Sequence, residues 1–322
     1  MDMSRGKKLV KNFPGIKQLV AARDKLHFEL SAIRQELSTL SASKENKLFF
    51  PPGHYYSPIP SLDYVRQHDS DIFFTELPKK ILGIDLRVKE QLDLLEFLKP
   101  HYDDLPFPSQ KTEKLRYFYE NPSYSYSDAI FLYCVIRHAR PKRIIEVGSG
   151  YSSCVTLDTN ELFFDNSIDA TFIEPTPDLL LSLIKEIDKQ HMRLIQSNLQ
   201  EVDIATFADL EANDILFIDS THVSKVHSDV NRIFFEILPR LASGVLIHFH
   251  DIFYPFEYPR AWIYENRAWN ELYLLRAFLQ YNSSFRVILF NTFLEHFFRD
   301  YFIANMPLCL RNPGGSIWIQ KC

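Results

Sequence analysis

The feature that most constrains the fold is a run of apolar residues followed by two glycines one residue apart, within residues 143–153. The apolar positions predict a buried strand and are Ile144, Ile145 and Val147. Gly148 and Gly150 permit a tight turn and a close approach of the backbone to a ligand. Ser152 and Ser153 can cap the helix that follows. A strand, a glycine turn and a helix in this order predict a cofactor of the nucleotide type at the carboxyl end of the strand.

Glu146 indicates which cofactor this turn suits. It lies two residues before Gly148, so its carboxylate would sit beside the ligand, where it would repel a diphosphate and attract an ammonium or sulfonium group. The dinucleotide-binding fingerprint also requires a third glycine, and Ser153 stands in its place. The charge therefore favours S-adenosylmethionine over NAD.

Composition argues against several classes of protein. The chain of 322 residues has a formal net charge of −5, which gives no general attraction for polyanions, so nucleic acid is not an expected partner. Its most apolar stretches, such as residues 241–250, are about half as long as a membrane-spanning helix, and no secretory signal is predicted. The four cysteines lie far apart and form no C-x-x-C pair: Cys134, Cys154, Cys309 and Cys322. We therefore expect reduced thiols in a cytoplasmic protein.

Residues 1–120 are predicted to form an N-terminal extension. Residues 16–40 have a helical pattern in which the side chains facing one side are spaced alternately by four and three: Leu19, Arg23, Leu26, Leu30, Ile33, Leu37 and Leu40. Such a helix either docks on its own domain or forms the coiled coil of a homodimer. Residues 49–60 combine four prolines with four aromatic residues, which excludes a regular helix and predicts an ordered loop or a lid.

Strands and helices alternate after residue 141, which is typical of an α/β fold with a parallel sheet and crossover helices. Strands are predicted near 143–147, 170–174, 192–196, 214–219, 244–250, 285–290 and 315–320. Helices are predicted near 88–98, 129–138, 152–163, 177–189, 204–211, 225–241 and 265–281. The last strand is expected to be antiparallel and to lie at an edge of the sheet. Asp128 is expected to be the N-cap of the helix near 129–138, which is apolar enough to be buried.

The second and third strands each end in a residue that could contact a nucleoside. Glu174 follows the second strand, 26 residues after Gly148, where a carboxylate can accept hydrogen bonds from both ribose hydroxyls. Asn198 follows the third strand and could contact an adenine edge, although asparagine is common in any turn.

The fourth and fifth strands end in acids and histidines. Asp219 and His222 follow the fourth strand, His250 and Asp251 follow the fifth, and alternation puts His248 on the same face as His250. The four residues at the strand ends are expected to converge beside the glycine turn. They could provide a general base for a hydroxyl proton, or they could hold a divalent ion that orients the hydroxyl. The alternative is that the histidines are hydrogen-bonded core residues without a role in chemistry.

Between about residues 121 and 258 the sequence resembles the class I S-adenosylmethionine-dependent methyltransferases, on the motifs E-V-G-S-G-Y-S, F-I-E-P and D-I-L-F-I-D-S-T-H. It is most similar to the small-molecule O-methyltransferases grouped with macrocin O-methyltransferase and cephalosporin hydroxylase-like proteins. The resemblance implies a Rossmann-like domain over residues 121–322. Its sheet would have seven mostly parallel strands, an antiparallel last strand and helices on both faces. The residues that it implies for cofactor binding are Glu146, Gly148, Ser149, Gly150, Ser152, Glu174 and Asp219.

The resemblance also implies a reaction, the transfer of a methyl group to a hydroxyl of a small molecule. His250, Asp251 and His222 are the expected catalytic residues. Metal-dependent relatives carry two adjacent acids after the fifth strand, where this chain has His250 and Asp251, so that mechanisms with and without Mg²⁺ both remain open.

The acceptor is expected to be a sugar or a glycosylated metabolite, because residues 49–60 resemble leader segments of relatives in glycan and secondary-metabolite pathways. Aromatic side chains could line its pocket: Tyr55, Tyr56, Tyr124, Tyr126, Phe253 and Tyr254. Residues 49–60 and 253–259 would close over the site and exclude water. Two other functions stay open, an NAD-dependent sugar oxidoreductase or epimerase and a non-catalytic scaffold that assembles through residues 16–40.

Overall fold

The structure, a computed structural model, describes residues 49–73 and 76–322 and, within residues 1–48, only Leu26 and Leu30. It contains two compact units, residues 1–67 and residues 68–322. The predicted helix at residues 16–40 lies outside the described residues except for Leu26 and Leu30, which are both helical and exposed. Its role in a homodimer stays a prediction.

Apart from Leu26 and Leu30, the described part of the first unit is a loop followed by the short helix α1 (Leu62–Gln67). Residues 49–60 form consecutive turns, as the prolines predict. The Phe50 ring stacks on His54 at 4.4 Å, and the Gly53 N–H donates to the Ile59 carbonyl at 2.9 Å. The loop is thus ordered by its own contacts, while its function as a lid stays a prediction.

The second unit contains one sheet of seven strands in the order β3-β2-β1-β4-β5-β7-β6. The strands are β1 (Arg143–Val147), β2 (Asp169–Ile173), β3 (Met192–Ile195), β4 (Ile215–Ile218), β5 (Leu246–His250), β6 (Phe285–Phe290) and β7 (Ser316–Lys321). The first five pair in parallel, and β7 is antiparallel to both β5 and β6. The sheet is therefore the mostly parallel, Rossmann-like one that the sequence predicts, with its last strand antiparallel.

The predicted position of the last strand is wrong. β7 lies between β5 and β6, and β6 forms the edge of the sheet. The apolar run Ile317, Trp318 and Ile319 is completely buried, because a strand with neighbours on both sides and helices on both faces has no solvent-facing position.

Helices cover both faces of the sheet. Those before the fifth strand are α2 (Asp69–Ile72), α3 (Val88–Tyr102), α4 (Ser127–Ala139), α5 (Tyr151–Phe164), α6 (Asp178–Leu183), α7 (Ala205–Ala208) and α8 (Asp229–Arg232). Those after it are α9 (Arg260–Tyr264), α10 (Glu271–Leu279), α11 (Asn291–Phe297) and α12 (Arg299–Asn305). The helix predicted near 225–241 begins as α8 and continues as a π turn at Ile233–Ile237 and a 3₁₀ turn at Leu238–Arg240. Pro239 explains this ending, because it has no N–H to donate to the preceding turn.

The helix α4 is buried over most of its length, as its apolar surface predicts. Asp128 is not its N-cap, which is a correction to the sequence prediction: the helix begins at Ser127, and Asp128 lies in its first turn. The Asp128 carboxylate is buried instead and accepts hydrogen bonds from Asn291 Nδ2 at 2.8 Å and from the Gly315 N–H at 3.1 Å. It therefore joins α4 to the start of α11 and to the turn before β7.

The helix α3 packs against α4 and β6 within the unit that contains the sheet. The predicted division of the chain into residues 1–120 and 121–322 stays a prediction. Among the described residues no helix is long and apolar enough to cross a membrane. The four cysteines are free thiols, three of them buried and Cys322 exposed.

A buried ion cluster fixes the loop before α4 to the back of α5. The Arg116 guanidinium, 2% exposed, pairs with Asp158 at 2.6 Å, with Glu161 at 2.7 Å and with Asp188. Asp158 also accepts the backbone N–H groups of Arg116 and Tyr117, at 2.9 and 2.8 Å. Burial of so many charges is favourable only when they are paired and hydrogen-bonded, so this cluster holds α5, and the glycine turn at its start, in one position.

Candidate functional site

The glycine turn after β1 requires glycine at its first position. Gly148 has a φ of 81°, and a Cβ built on it would lie 2.2 Å from the Asp219 carbonyl oxygen. Its N–H donates to the Ile173 carbonyl at 3.0 Å, and the Asp219 N–H donates to the Val147 carbonyl at 2.9 Å. The turn is thus packed directly on the ends of β2 and β4, the strands on either side of β1.

Glu146 faces the start of α5. Its Oε1 accepts hydrogen bonds from Ser152 Oγ at 2.6 Å and from Ser153 Oγ at 2.9 Å, while Oε2 is buried and has no partner in the residues that the structure describes. Ser153 also caps the helix by accepting the Gly150 N–H at 3.1 Å, whereas the Ser152 hydroxyl donates to Glu146. Burial raises the pKa of the Glu146 carboxyl to about 8, which the two serine hydroxyls only partly offset. The contact of Glu146 with a cofactor stays a prediction.

A groove of about 330 Å³ opens beside the turn. It is lined by the residues that follow β1 to β4, among them Gly148, Glu174, Asn198, Leu199 and Asp219. Glu174 Oε2 accepts the Ser149 N–H at 3.3 Å and its Oε1 accepts the Thr176 N–H at 2.9 Å, so the carboxylate is already oriented at the edge of the groove. Its contact with a ribose stays a prediction.

The four polar residues after β4 and β5 converge, as their positions at the strand ends predict. His222 Nε2 lies 3.3 Å from Asp219 Oδ1 and 3.4 Å from Asp251 Oδ2. His250 Nδ1 lies 3.4 Å from Asp219 Oδ1 and 3.7 Å from Asp251 Oδ1. We call these four side chains the strand-end cluster. Asp219 also lines the groove, so the cluster adjoins it.

Two further carboxylates contact the ring nitrogens of His222 and His250 that point away from the cluster. The sequence analysis did not name either of them as a site residue. Glu271, the first residue of α10, lies 2.9 Å from His222 Nδ1. Asp128 Oδ2 lies 3.6 Å from His250 Nε2. Neither is close to the cluster in sequence, and Asp128 has the pattern of an ordinary helix N-cap, so no local signal distinguishes them.

The charges within the cluster determine its protonation. Burial alone would lower the pKa of His222, but Asp219 and Glu271 raise it to about 10. Burial would likewise lower the pKa of His250, but Asp251 and Asp219 raise it well above the usual value. For Asp219 the burial effect, which raises the pKa, is outweighed by the two imidazoles, which lower it well below the usual value. The pKa of Asp251 is raised, chiefly by burial. The cluster is therefore a compact set of opposite charges that partly compensate one another.

His248, which was predicted to share a face with His250, belongs to the core. Its ring stacks on Phe217 at 4.2 Å and contacts Trp318 at 4.7 Å. Neither ring nitrogen has a hydrogen-bond partner among the described residues, and burial lowers the pKa of the His248 imidazole well below the usual value. His248 is thus a neutral packing residue, although not the hydrogen-bonded one that the alternative interpretation described.

An aromatic wall continues from the cluster along the loop after β5. Trp269 lies 4.4 Å from the His222 ring, Trp262 lies 5.4 Å from Trp269, and Phe253 lies 5.2 Å from Trp262. Phe253 also lines a second groove, of about 340 Å³, together with Tyr258 and other residues of that loop. The two tryptophans are candidate acceptor-binding residues that the sequence analysis did not name.

Of the aromatic residues that were named within residues 68–322, Phe253 and Tyr254 line this second groove. The Tyr124 ring is buried 5.2 Å from the His250 ring, and Tyr126 stacks on Tyr119 at 4.9 Å. Tyr55 and Tyr56 are exposed in the first unit.

Comparisons with known proteins agree with this architecture. Residues 145–252 match the family model of a methyltransferase domain. An uncharacterized protein of Archaeoglobus fulgidus is 37% identical over 178 residues, which are 54% of this chain and 80% of that protein.

A comparison with solved structures also matched two proteins at lower sequence identity. A methyltransferase of Podospora anserina, bound to S-adenosylhomocysteine, is 16% identical with a TM-score of 0.40 over 76% of this chain and 99% of that chain. The O-methyltransferase TomG of Streptomyces achromogenes, in complex with S-adenosylmethionine, is 13% identical with a TM-score of 0.39 over 80% of this chain and 96% of that chain.

Proposed function

We propose that the chain, of which residues 145–252 match the family of methyltransferase domains, is a class I S-adenosylmethionine-dependent methyltransferase and methylates a hydroxyl oxygen of a small molecule. The observation that carries the proposal is the convergence of Asp219, His222, His250 and Asp251 at the strand ends beside the glycine turn. A cluster of ionisable groups next to a methyl donor can remove or orient the proton of an acceptor hydroxyl.

The cofactor would occupy the groove beside the turn. Glu174 would bind the ribose hydroxyls, and Asn198 would contact the adenine, because both line the groove at the ends of β2 and β3. The methionine part would lie against residues 148–150 and Ser152. Asp219 would attract its sulfonium, and Glu146, beside the start of α5, would also contact the cofactor. The approach of the sulfonium to Asp219 would also lower the pKa of the neighbouring His250, since like charges disfavour each other.

His250 would be the general base. Its Nε2 faces Asp128, and its Nδ1, on the side of Asp219 and Asp251, is buried and has no hydrogen-bond partner within the described part of the chain. S-adenosylmethionine would supply the methyl group to the acceptor oxygen and leave as S-adenosylhomocysteine, and His250 would accept the hydroxyl proton at Nδ1. His222 and Asp251 would orient the acceptor, and much of the rate acceleration would come from in-line alignment of the two reactants.

The acceptor would bind along the aromatic wall. Trp269, Trp262 and Phe253 offer flat apolar faces that extend from the cluster. Such faces pack well against the C–H surface of a sugar or against an aromatic ring, and the polar groups beside them fix its orientation. A sugar or glycosylated metabolite is thus the first class to test. Residues 253–259 would exclude water from the site.

The first test is titration calorimetry with S-adenosylmethionine, S-adenosylhomocysteine and NAD. We expect micromolar binding of the first two and none of NAD. Tight binding of NAD would contradict the proposal and favour an oxidoreductase, and binding of none of the three would favour a scaffold.

The second test measures methyl transfer to a panel of sugars and phenols. His250→Ala should lower kcat at least a hundredfold while leaving the cofactor affinity within about a factor of three. The matched control is His191→Ala, which removes an exposed histidine. Equal turnover of the His250 variant and the wild type would exclude His250 as the base. A cytoplasmic location and a homodimer stay predictions.

A further inference from the structure

The second groove lies beside the aromatic wall, and the proposed reaction gives its polar groups no role. It has a volume of about 340 Å³ and belongs to the unit that contains the sheet. The aromatic residues Phe73, Phe253 and Tyr258 line it together with Glu257. We propose that this groove binds an ammonium group, so that the acceptor is a small organic amine that also carries the hydroxyl. The identity of the acceptor rests on the proposed function, whereas ammonium binding can be measured without it.

The charges at the second groove leave the Glu257 carboxylate without a cation. Arg260 also lines the groove, but its guanidinium pairs with Asp69 at 2.8 Å. Glu257 is partly buried, and its Oε1 accepts the Tyr258 N–H at 3.0 Å and the Tyr273 hydroxyl. Among the residues that the structure describes, no basic side chain forms an ion pair with Glu257. A carboxylate that is partly removed from water binds a cation more strongly than an exposed one does, so the charge of the groove suits a positive ligand.

The aromatic residues around the groove favour the same kind of ligand. The face of an aromatic ring attracts a cation that lies within about 6 Å of the ring centre. One such contact already exists at the groove, where the Arg260 guanidinium carbon lies 5.2 Å from the Phe73 ring centre. Phe253 and Tyr258 add two further rings. Aromatic rings combined with a carboxylate are suited to ammonium ligands, whereas a neutral or anionic group would leave Glu257 unpaired.

One ring connects the second groove to the strand-end cluster. The Trp269 ring centre lies 4.4 Å from that of His222 and 6.1 Å from that of Tyr258. Phe253, at the other side of the groove, follows Asp251 by two residues. An acceptor with its ammonium group in the groove could therefore extend along the aromatic wall and place its hydroxyl at the cluster. This arrangement also keeps the ammonium group away from the sulfonium of the cofactor, which would repel it at short range.

The charge and the size of the groove together define the chemical class of the acceptor. Alkyl amines are positively charged at neutral pH, since their pKa is about 10, and their C–H groups pack against aromatic rings. Pockets for small molecules have volumes of about 300–1,000 Å³, and this groove is at the lower end of that range, which suits a small amine. A phenolic amine and an amino sugar share this chemistry, so the test includes both.

The test compares probes of similar size and different charge. Tyramine, 4-ethylphenol and 4-hydroxyphenylpropanoate share a phenol ring and end in a positive, a neutral and a negative group, and glucosamine and glucose give the same comparison for a sugar. Ligand-observed NMR titrations of the full chain at pH 6 keep both amines charged. Tyramine or glucosamine should bind at least tenfold more tightly than its neutral counterpart, and 4-hydroxyphenylpropanoate should bind most weakly. The pair that shows the preference identifies the carrier of the ammonium group.

Variants of the chain assign the preference to the groove. Glu257→Gln keeps the shape of the side chain but removes its charge, so it should weaken the binding of the preferred amine about tenfold or more. The matched control is Glu186→Gln, at a side chain that is 87% exposed, which should retain the preference. Phe253→Leu keeps an apolar side chain without the ring, and it should weaken the binding of the amine about two- to fivefold.

The wild-type comparison needs no variant and can overturn the proposal by itself. Equal affinities within both pairs of probes, or no binding of either amine, would refute the ammonium site, as would an unchanged preference in Glu257→Gln. A parallel titration with S-adenosylmethionine separates the two hypotheses. Cofactor binding without a preference for amines would refute the ammonium site alone, and a preference for amines without cofactor binding would refute the proposed function alone.

Discussion

Replacement of Glu146 by glutamine should remove a large pH dependence of stability. The Glu146 carboxyl is completely buried, and its pKa is raised from 4.5 to about 8. Because the raised value belongs to the folded state, the neutral form stabilises the protein below about pH 4.5, and this stability is lost as the pH rises to about 8. At about 1.4 kcal/mol per pH unit, the wild type should lose about 4 kcal/mol of unfolding free energy from this group between pH 5 and pH 9.

The glutamine variant has no such proton to lose. Its amide oxygen can accept the same two hydrogen bonds from Ser152 and Ser153, but its NH₂ group would occupy the position of the unpartnered Oε2. That unpaired donor should cost about 1–3 kcal/mol at every pH. The variant should therefore be less stable than the wild type at pH 5 and more stable at pH 9.

The assay is equilibrium unfolding in urea at pH 5, 7 and 9. The decisive quantity is the change with pH in the difference between variant and wild type, because all other titrating groups cancel in it. Glu186→Gln serves as the control, since its side chain is 87% exposed. Parallel pH profiles of the Glu146 variant and the wild type would refute the burial argument. Calorimetry at the same pH values then tests the contact of Glu146 with the cofactor. The affinity for S-adenosylmethionine should rise between pH 7 and pH 9 only in the wild type, because only the wild type has a Glu146 carboxyl that becomes negative in this range and attracts the sulfonium.

Three further changes test the turn, the base and the ion cluster. Gly148→Ala should abolish cofactor binding in calorimetry and lower the unfolding free energy by about 2 kcal/mol or more, because of its positive φ and its contact with the neighbouring strand; an unchanged affinity would contradict this. Asp128→Asn should lower kcat about tenfold or more and shift its pH profile to lower pH, because His250 loses a neighbouring negative charge; the cofactor dissociation constant should stay the same, and an unshifted profile would exclude a positioning role. Arg116→Met should destabilise the protein by about 3–5 kcal/mol in urea unfolding at pH 7, because three carboxylates lose their cation; a change below about 1 kcal/mol would show that they are hydrated or protonated.

Much of the sheet could be predicted because its strands are short apolar runs that end at glycine, proline or acidic residues. The predicted strand near 143–147 and the helix near 152–163 agree closely with β1 and α5. The position of β7 could not be predicted in the same way, since an apolar run does not indicate which strands lie beside it. Among the described residues, five helices were not predicted, and each has only four to seven residues, too few for a clear helical period: α1, α2, α9, α11 and α12.

The strand-end cluster could be predicted because parallel strands bring their carboxyl ends to one edge of the sheet. Asp219 and Asp251 each follow an apolar strand, so their proximity follows from the topology alone. Asp128 lies in a helix that precedes β1 and Glu271 in a helix that follows β5, and only long-range packing brings both to the same place.

The sequence by itself therefore determined the local structure, the class of fold and the residues available for chemistry, because these depend on apolar spacing, turn residues and the order of strands. The tertiary structure decided which side chains meet and in which protonation state. Glu146 lies two residues before Gly148 in the sequence, where it was expected to face a cation, yet burial against α5 raises its pKa to about 8. Such a shift depends on the loss of water and on neighbours distant in sequence, so the linear pattern of residues does not contain it.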